Sequence, residues 1–512
     1  MNNKGRGTAR GVFSNWTALA INFGVAFVLS PFVVHHLGVV AYGVWTLVVA
    51  TTSYIGLLDL GLRGAVIRFV SRHHALGNHA ESSVATSGAL WLRQWICLSV
   101  IFLSLILSFV INRLFHIPPE LQAAARWAIL FSGLSFAVTL YFGVFGGVLA
   151  ALHRFDLISG VSIGQTILRS AGVVWLLVGG HGILALALWE LTVVLAANLT
   201  QMWVCFRSYP ELALSFRYPG KRLLQDFAGY SVWVFLQHIF GQVIYYTDNL
   251  VVGAFVSVAA VTFFSIGGSL IEYLRTIVAS LTVTFMPLAS NYEASGEHEK
   301  LRWLLRQGTR VAILVAWPIQ VALLFRGETF IRLWMGEQYG LISGRVLQIL
   351  LLSQFFTVAN SASINITLGL AKHRRCTYWA AGEAALNFCL SVLLARRIGI
   401  YGVAIGTVIP SLFVHLFLWP AYICKIVCVS VKQHLLQSWL RPALAVVPFA
   451  IACFLTDRYW PASRLIGFFL QMFAILPIYV VTVAFSFQKD IMEQLRARTK
   501  WFARPAATLG GN

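Results

Sequence analysis

Apolar runs of about twenty residues recur along this chain from one end to the other, and that recurrence limits the fold more than any motif does. They lie near residues 12 to 34, 39 to 60, 87 to 111, 122 to 149, 158 to 178 and 182 to 206. After a basic stretch, further runs lie near 229 to 252, 257 to 285, 308 to 325, 341 to 368, 377 to 396, 400 to 424, 438 to 456 and 463 to 487. A helix of about 20 residues spans a hydrocarbon layer of about 30 Å, so each run reads as a transmembrane helix. Backbone groups in hydrocarbon must bond within their own segment, which makes the expected class all-α and integral to the membrane, with about fourteen spans. Composition agrees: 58% of residues are hydrophobic and 11% charged, against about a quarter charged in soluble domains.

The formal charge of +20 would point to nucleic acid in a soluble protein. Its distribution points elsewhere. Of the 38 Lys and Arg, 26 fall in loops of one side, 8 in loops of the other and 4 within spans. That is the positive-inside asymmetry, and it needs no nucleic-acid partner. The rich side holds Lys4, Arg6 and Arg10, the loop with Arg217, Lys221 and Arg222, and a tail with Lys489, Arg496, Arg498, Lys500 and Arg504. Both termini are therefore expected in the cytoplasm. The first run is longer than a signal-peptide core and lacks a cleavage site, so it reads as a retained helix.

The seven Cys lie in spans or at cytoplasmic ends, and Cys424-x-x-x-Cys428 lacks the partners of a zinc site. No Walker loop, dinucleotide fingerprint or metalloprotease motif is present, so neither a cofactor nor a metal is expected. The loops on the poor side are short, as at His35-His36-Leu37-Gly38 and Gly179-Gly180-His181-Gly182. Function must then sit in the helical bundle or on its cytoplasmic face.

A shift of 220 residues sets Ala151-Leu-His153-Arg154 on Ala371-Lys-His373-Arg374, Phe136 and Val138 on Phe356 and Val358, and Gly182 on Gly402. Six spans per copy is an even number, so the copies are expected to be parallel repeats. The expected organisation is a six-helix bundle over 12–206, a basic cytoplasmic linker over 207–228, a second six-helix bundle over 229–424, two additional helices over 438–487 and a basic tail over 488–512.

Local features then become informative: His36-Leu-Gly38-Val-Val-Ala-Tyr42-Gly43-Val-Trp45, Leu58-Asp59-Leu60-Gly61-Leu62 followed by Arg68, Tyr246-Thr-Asp248-Asn-Leu-Val-Val-Gly253, and Met286-Pro287 closing the eighth span. With two six-helix bundles and two further helices, the chain resembles the polysaccharide transporter branch of the MOP superfamily, which includes O-antigen flippases of the Wzx type. The resemblance implies a carrier in the inner membrane that moves an oligosaccharide, attached through diphosphate to a polyisoprenoid lipid, from the cytoplasmic to the periplasmic leaflet. It implies no covalent catalysis. Drug export by the same superfamily fold, and a membrane polysaccharide polymerase or ligase, are the competing readings. Deep arginines argue against the first, and short outer loops against the second.

A dianionic diphosphate and a polar glycan need a hydrated, cationic path. Arg169, about 16 Å into the fifth span by helical rise, Arg275 in the eighth and Arg93 in the third are the candidate diphosphate ligands. Each has a structural alternative: Arg275 pairing with Glu272 one turn before it, Arg169 pairing with Glu190 or Asp248, and Arg93 reaching the lipid phosphate layer. Asp248, Glu272, Glu190 and Glu383, with His238, are candidates for proton or sodium coupling or for charge pairing. Asp59 beside Arg63 reads as an architectural salt bridge. Gly143-x-x-Gly146-Gly147 reads as a close helix approach, and Pro318, Pro410, Pro420, Pro448 and Pro477 as bends. The expected partners are the lipid-linked oligosaccharide, coupling ions and other polysaccharide-assembly proteins.

Overall fold

The structure, a computed structural model, describes residues 3–56, 62–215 and 232–502. Asp59, residues 216–228 of the basic linker, the side chain of His238 and the side chains of the tail from 488 lie outside the described residues. The described chain is helical, with no strand among those residues.

Twelve helices among the described residues are long and apolar enough to cross a membrane. One of them, Leu19–Ile55, lies in a longer helix that is broken at Gly38, where φ 76° and ψ 168° leave the helical region. Only glycine adopts that geometry without a Cβ penalty, which is why the sharp turn falls there. Taking the arms on either side of Gly38 separately, and adding the apolar helix Val232–Phe255, gives the fourteen expected spans.

Local chemistry explains several boundaries. The third span, His79–Leu114, starts where the side chain of Asn78 accepts a 3.1 Å bond from the Glu81 amide, and Pro119 opens the fourth, Pro119–Ala151. The fifth, Phe155–Val178, ends where Gly180 takes φ 74° and the His181 amide bonds the Leu176 carbonyl at 3.0 Å. That pattern satisfies carbonyls the helix would otherwise leave open. Two widened π-turns, Val414–Leu418 and Leu435–Leu440, each end just before a proline, Pro420 and Pro442. A proline ring clashes with the carbonyl four residues earlier, and widening the turn relieves the clash.

Helix ends recur at the shift seen in the sequence. His79–Leu114 and His298–Met335 correspond within one residue at 220, as do Phe155–Val178 and Arg374–Ile398. A short helix that the hydropathy did not reveal, Leu62–Ala75 before the third span, has its counterpart in Phe285–Ala294 before the ninth. Gly77 and Gly296, both at positive φ, follow the two short helices.

By contacts the chain groups into two compact units, Met1–Gly268 with His373–Pro410, and Ser269–Lys372 with Ser411–Asn512. This grouping cuts the chain at different residues from the two-bundle division at 12–206 and 229–424, which remains a proposal resting on the repeat. In the first unit the core gathers Val66, Val70, Leu90, Val144, Phe145 and Val148. In the second, Leu301, Leu304 and Leu305 of the ninth span, His298–Met335, pack with Ile366, Leu370 and Ile423.

Candidate functional site: a polar cavity and a buried carboxylate in the first unit

Spans two to seven of the first unit surround a cavity of about 510 Å³. Its polar wall consists mainly of amides. Gln165 comes from the fifth span, Asn198 and Gln201 from the sixth (Ile183–Ser208), and Gln242 with Tyr246 from the seventh (Val232–Phe255). Arg93 is the one ionised residue among the described lining residues. Amides present both donors and acceptors, as sugar hydroxyls do, and a guanidinium matches phosphate oxygens bidentately.

Arg93 is buried, and its Nη1 donates to the Leu140 carbonyl on the neighbouring span. Gly143 makes this placement possible, because a Cβ there would lie 3.0 Å from the same Nη1. Gly146 does the same for Gln201, whose Nε2 would lie 2.5 Å from an added Cβ. The Gly143-x-x-Gly146 spacing thus admits polar side chains into the cavity, where helix-to-helix approach had been expected.

The other two arginines are paired. Arg169 Nη2 lies 2.5 Å from Glu190 Oε1, tying the fifth span to the sixth, and Arg169 is not among the cavity-lining residues. Arg275 Nη1 lies 2.9 Å from Glu272 Oε2 within one helix of the second unit, the i,i+3 pair that the sequence offered as the alternative to a substrate role. Of the three expected cationic residues, then, Arg93 lines the cavity.

Asp248 is buried in the seventh span, and its Oδ2 accepts a 2.7 Å bond from Thr407 Oγ1. Thr407 Oγ1 in turn accepts from Asn387 Nδ2 at 3.1 Å. These three residues bring the seventh span together with Arg374–Ile398 and Ile400–Phe413 inside the first unit. The second oxygen of Asp248 and the side-chain oxygen of Asn387 are both buried and accept no hydrogen bond. Beside them, Tyr54 and Thr247 share a hydrogen bond between their hydroxyls. Glu383, also buried, lies one turn before Asn387.

Reading the sequence for ionisable groups missed the amides. Their signal was present as uncharged polar residues at helical spacing inside apolar spans: Asn198 and Gln201 at i,i+3, Gln242 and Tyr246 at i,i+4. A further omission is Arg326, fully buried in the second unit. It bonds Gln471 at 2.5 Å, lies 3.4 Å from Asp457 and sits over the Phe468 ring.

The helix order and the apolar surface define a multi-pass membrane protein. Solved structures share its fold: the lipid II flippase MurJ in an inward closed conformation matches with TM-score 0.72 and 14% identity, covering 94% of this chain and all of that one. A multidrug resistance MATE transporter in an inward-facing conformation matches with TM-score 0.70 and 13% identity, over 80% of this chain and 95% of that one. A sequence profile of the polysaccharide biosynthesis protein family matches residues 33–344, more than half of the chain, and the protein belongs to that family. Among curated proteins it is 23% identical to the "Uncharacterized membrane protein EpsK" of Bacillus subtilis, over 90% of this chain and 89% of that protein. It is 22% identical to the "Putative O-antigen transporter" of Shigella flexneri, over 73% and 88%.

Proposed function

We propose that this protein is a flippase that carries an oligosaccharide, joined through diphosphate to a polyisoprenoid lipid, from the cytoplasmic to the periplasmic leaflet of the inner membrane by alternating access. The observation that carries this reading is the cavity: a polar, amide-lined space with one arginine, enclosed by apolar spans in a member of a polysaccharide biosynthesis family. Hydroxyl-rich cargo suits the amides and a diphosphate suits Arg93. The absence of a carboxylate from the described lining residues favours an anionic cargo over the cationic drugs that an exporter of the same fold would take.

In this reading Arg93 is the first diphosphate ligand, and Arg169 and Arg275 act in substrate passage only if they exchange their carboxylate partners for phosphate. Asp248, with Thr407 and Asn387, is the site at which a proton or sodium ion couples to transport, since a buried carboxylate surrounded by oxygens holds either. Both termini lie in the cytoplasm, where the basic loops follow the positive-inside rule. Other polysaccharide-assembly proteins supply the cargo and consume it.

The test is reconstitution. Vesicles containing the purified protein and a fluorescent glycan on undecaprenyl diphosphate should expose the glycan to an added impermeant lectin faster than empty vesicles do. Equal rates would sink the proposal.

A further inference from the structure

We propose that the groove between the fifth and sixth spans holds the polyisoprenoid tail of the cargo while its head occupies the polar cavity. The inference rests on the flippase reading and adds a site for the part of the cargo that reading leaves in the bilayer. The groove has a volume of about 390 Å³. One wall is the i,i+4 row Asp156, Gly160, Gly164 and Leu168; the facing wall is Val193, Ala197, Thr200 and Val204 with Ala196. The twelve helical steps from Asp156 to Leu168 make a channel about 18 Å long at 1.5 Å rise per residue. Apart from Asp156 at its basic-side end, which meets Arg154 at 3.3 Å, and the polar Gln165 and Thr200, the walls are small or apolar.

The same two helices are locked together farther along. Arg169, one residue past Leu168, pairs with Glu190 at 2.5 Å; Trp189 Nε1 donates to the Arg169 carbonyl at 3.3 Å; and the indole fills the space that Gly172 leaves open. Glycine therefore has opposite uses in one helix. At Gly172 an added Cβ would run into Trp189, whereas at Gly160 and Gly164 it would meet no atom within 4 Å.

The occupant follows from continuity. Val161, Gln165 and Ala197 line both the groove and the cavity, so an aliphatic chain lying in the groove ends beside the amides and Arg93. A membrane phospholipid would fill the groove equally well with its acyl chain, but an isoprenoid diphosphate carries a head matched to the adjoining cavity. The groove reaches the basic-side end of both spans, which places the opening at the leaflet where cargo is loaded.

The experiment places a photoreactive p-benzoylphenylalanine at Thr200, in the groove alone, or at Thr139, in the cavity alone, within the full chain in phosphatidylethanolamine and phosphatidylglycerol vesicles. The probe is radiolabelled undecaprenyl diphosphate. Label at both positions is the expected result. With Gly160→Leu and Gly164→Leu added, label at Thr200 should fall about tenfold, equivalent to 1.4 kcal/mol. Gly382→Leu, another site where a Cβ meets no atom within 4 Å, should leave it unchanged. Both groove substitutions enter open space and replace glycine by a strong helix former, so the chain should still fold. Label at Thr139 with only phospholipid captured at Thr200 overturns this inference and spares the flippase reading. Label at neither position overturns both.

Discussion

Arg169 and Glu190, 21 residues apart in sequence, meet at 2.5 Å and join two neighbouring spans. Removing one partner strands the other charge in a low-dielectric setting, whereas removing both does not. Arg169→Ala should therefore lower protein abundance severalfold, a change of about 1–2 kcal/mol in stability being enough for that in cells. Arg169→Met combined with Glu190→Gln should restore it. Immunoblots of membranes, with surface glycan scored in parallel, check this. If the double variant is abundant yet exports no glycan, Arg169 is a substrate ligand as well as a tie between helices.

Arg93 calls for the opposite outcome. Its guanidinium lines the cavity and accounts for the positive charge there. Arg93→Ala should cut glycan export by about tenfold or more with abundance largely retained, and Arg93→Lys should keep part of the activity because the charge stays and the bidentate fork is lost. Export at the wild-type rate by the alanine variant would remove Arg93 from the mechanism.

Hydropathy and length made the spans readable, since few other solutions satisfy the backbone in hydrocarbon. The turn at Gly179-Gly180-His181-Gly182 and the 220-residue spacing were legible for the same reason: glycine and helix length act locally. The cavity was not legible. Gln165, Gln201 and Gln242 converge only because six helices take particular rotations about their axes, and an apolar run does not encode rotation. Arg326 falls just past the apolar run near 308 to 325, since a charge usually ends such a run, yet its helix runs on to Met335 and buries the guanidinium against other helices. The partnership of Arg169 with Glu190 was one alternative among several until distances across helices decided it.

Asp248 should link transport to an ion gradient. Asp248→Asn keeps an acceptor for the Thr407 hydroxyl but loses the charge, so the fold should survive. Transport in vesicles should then lose its dependence on an imposed proton or sodium gradient, and Thr407→Val, which removes the hydroxyl at the centre of the network, should weaken that dependence. A gradient response unchanged in Asp248→Asn would move the coupling site elsewhere, with Glu383 the next residue to test.

The topology is testable by reporter fusions. Those after Val34, Gly182 and Asp457 should report the periplasm, and those after Arg72, Arg222 and Arg375 the cytoplasm. A periplasmic signal at Arg222 would put the two copies in opposite orientations and sink the parallel repeat.

Arg326 offers the sharpest test of what holds the last two helices. Its side chain is fully buried, with Asp457 of Arg441–Tyr459 at 3.4 Å and Gln471 of Leu465–Phe502 at 2.5 Å. Met472 Sδ at 3.6 Å and the Phe468 ring, 4.6 Å from the guanidinium carbon, complete its surroundings. One side chain thus connects the ninth span to both added helices, and the loss of a buried charge partner typically costs about 3–5 kcal/mol. Arg326→Met should lower the melting temperature of the detergent-solubilised protein sharply, because Asp457 then has no guanidinium beside it. Adding Asp457→Asn should recover much of the loss, since a neutral amide is cheaper to leave beside an apolar side chain and methionine adapts to the space around Phe468 and Met472. A purely steric role for Arg326 gives a different result: the methionine variant alone would melt near the wild-type temperature and the second substitution would change little. The difference between the single and double variants therefore measures the coupling between Arg326 and Asp457, and a value near zero would mean that the two C-terminal helices are held by other contacts, among them the 2.6 Å bond from Tyr479 Oη to the Leu314 carbonyl.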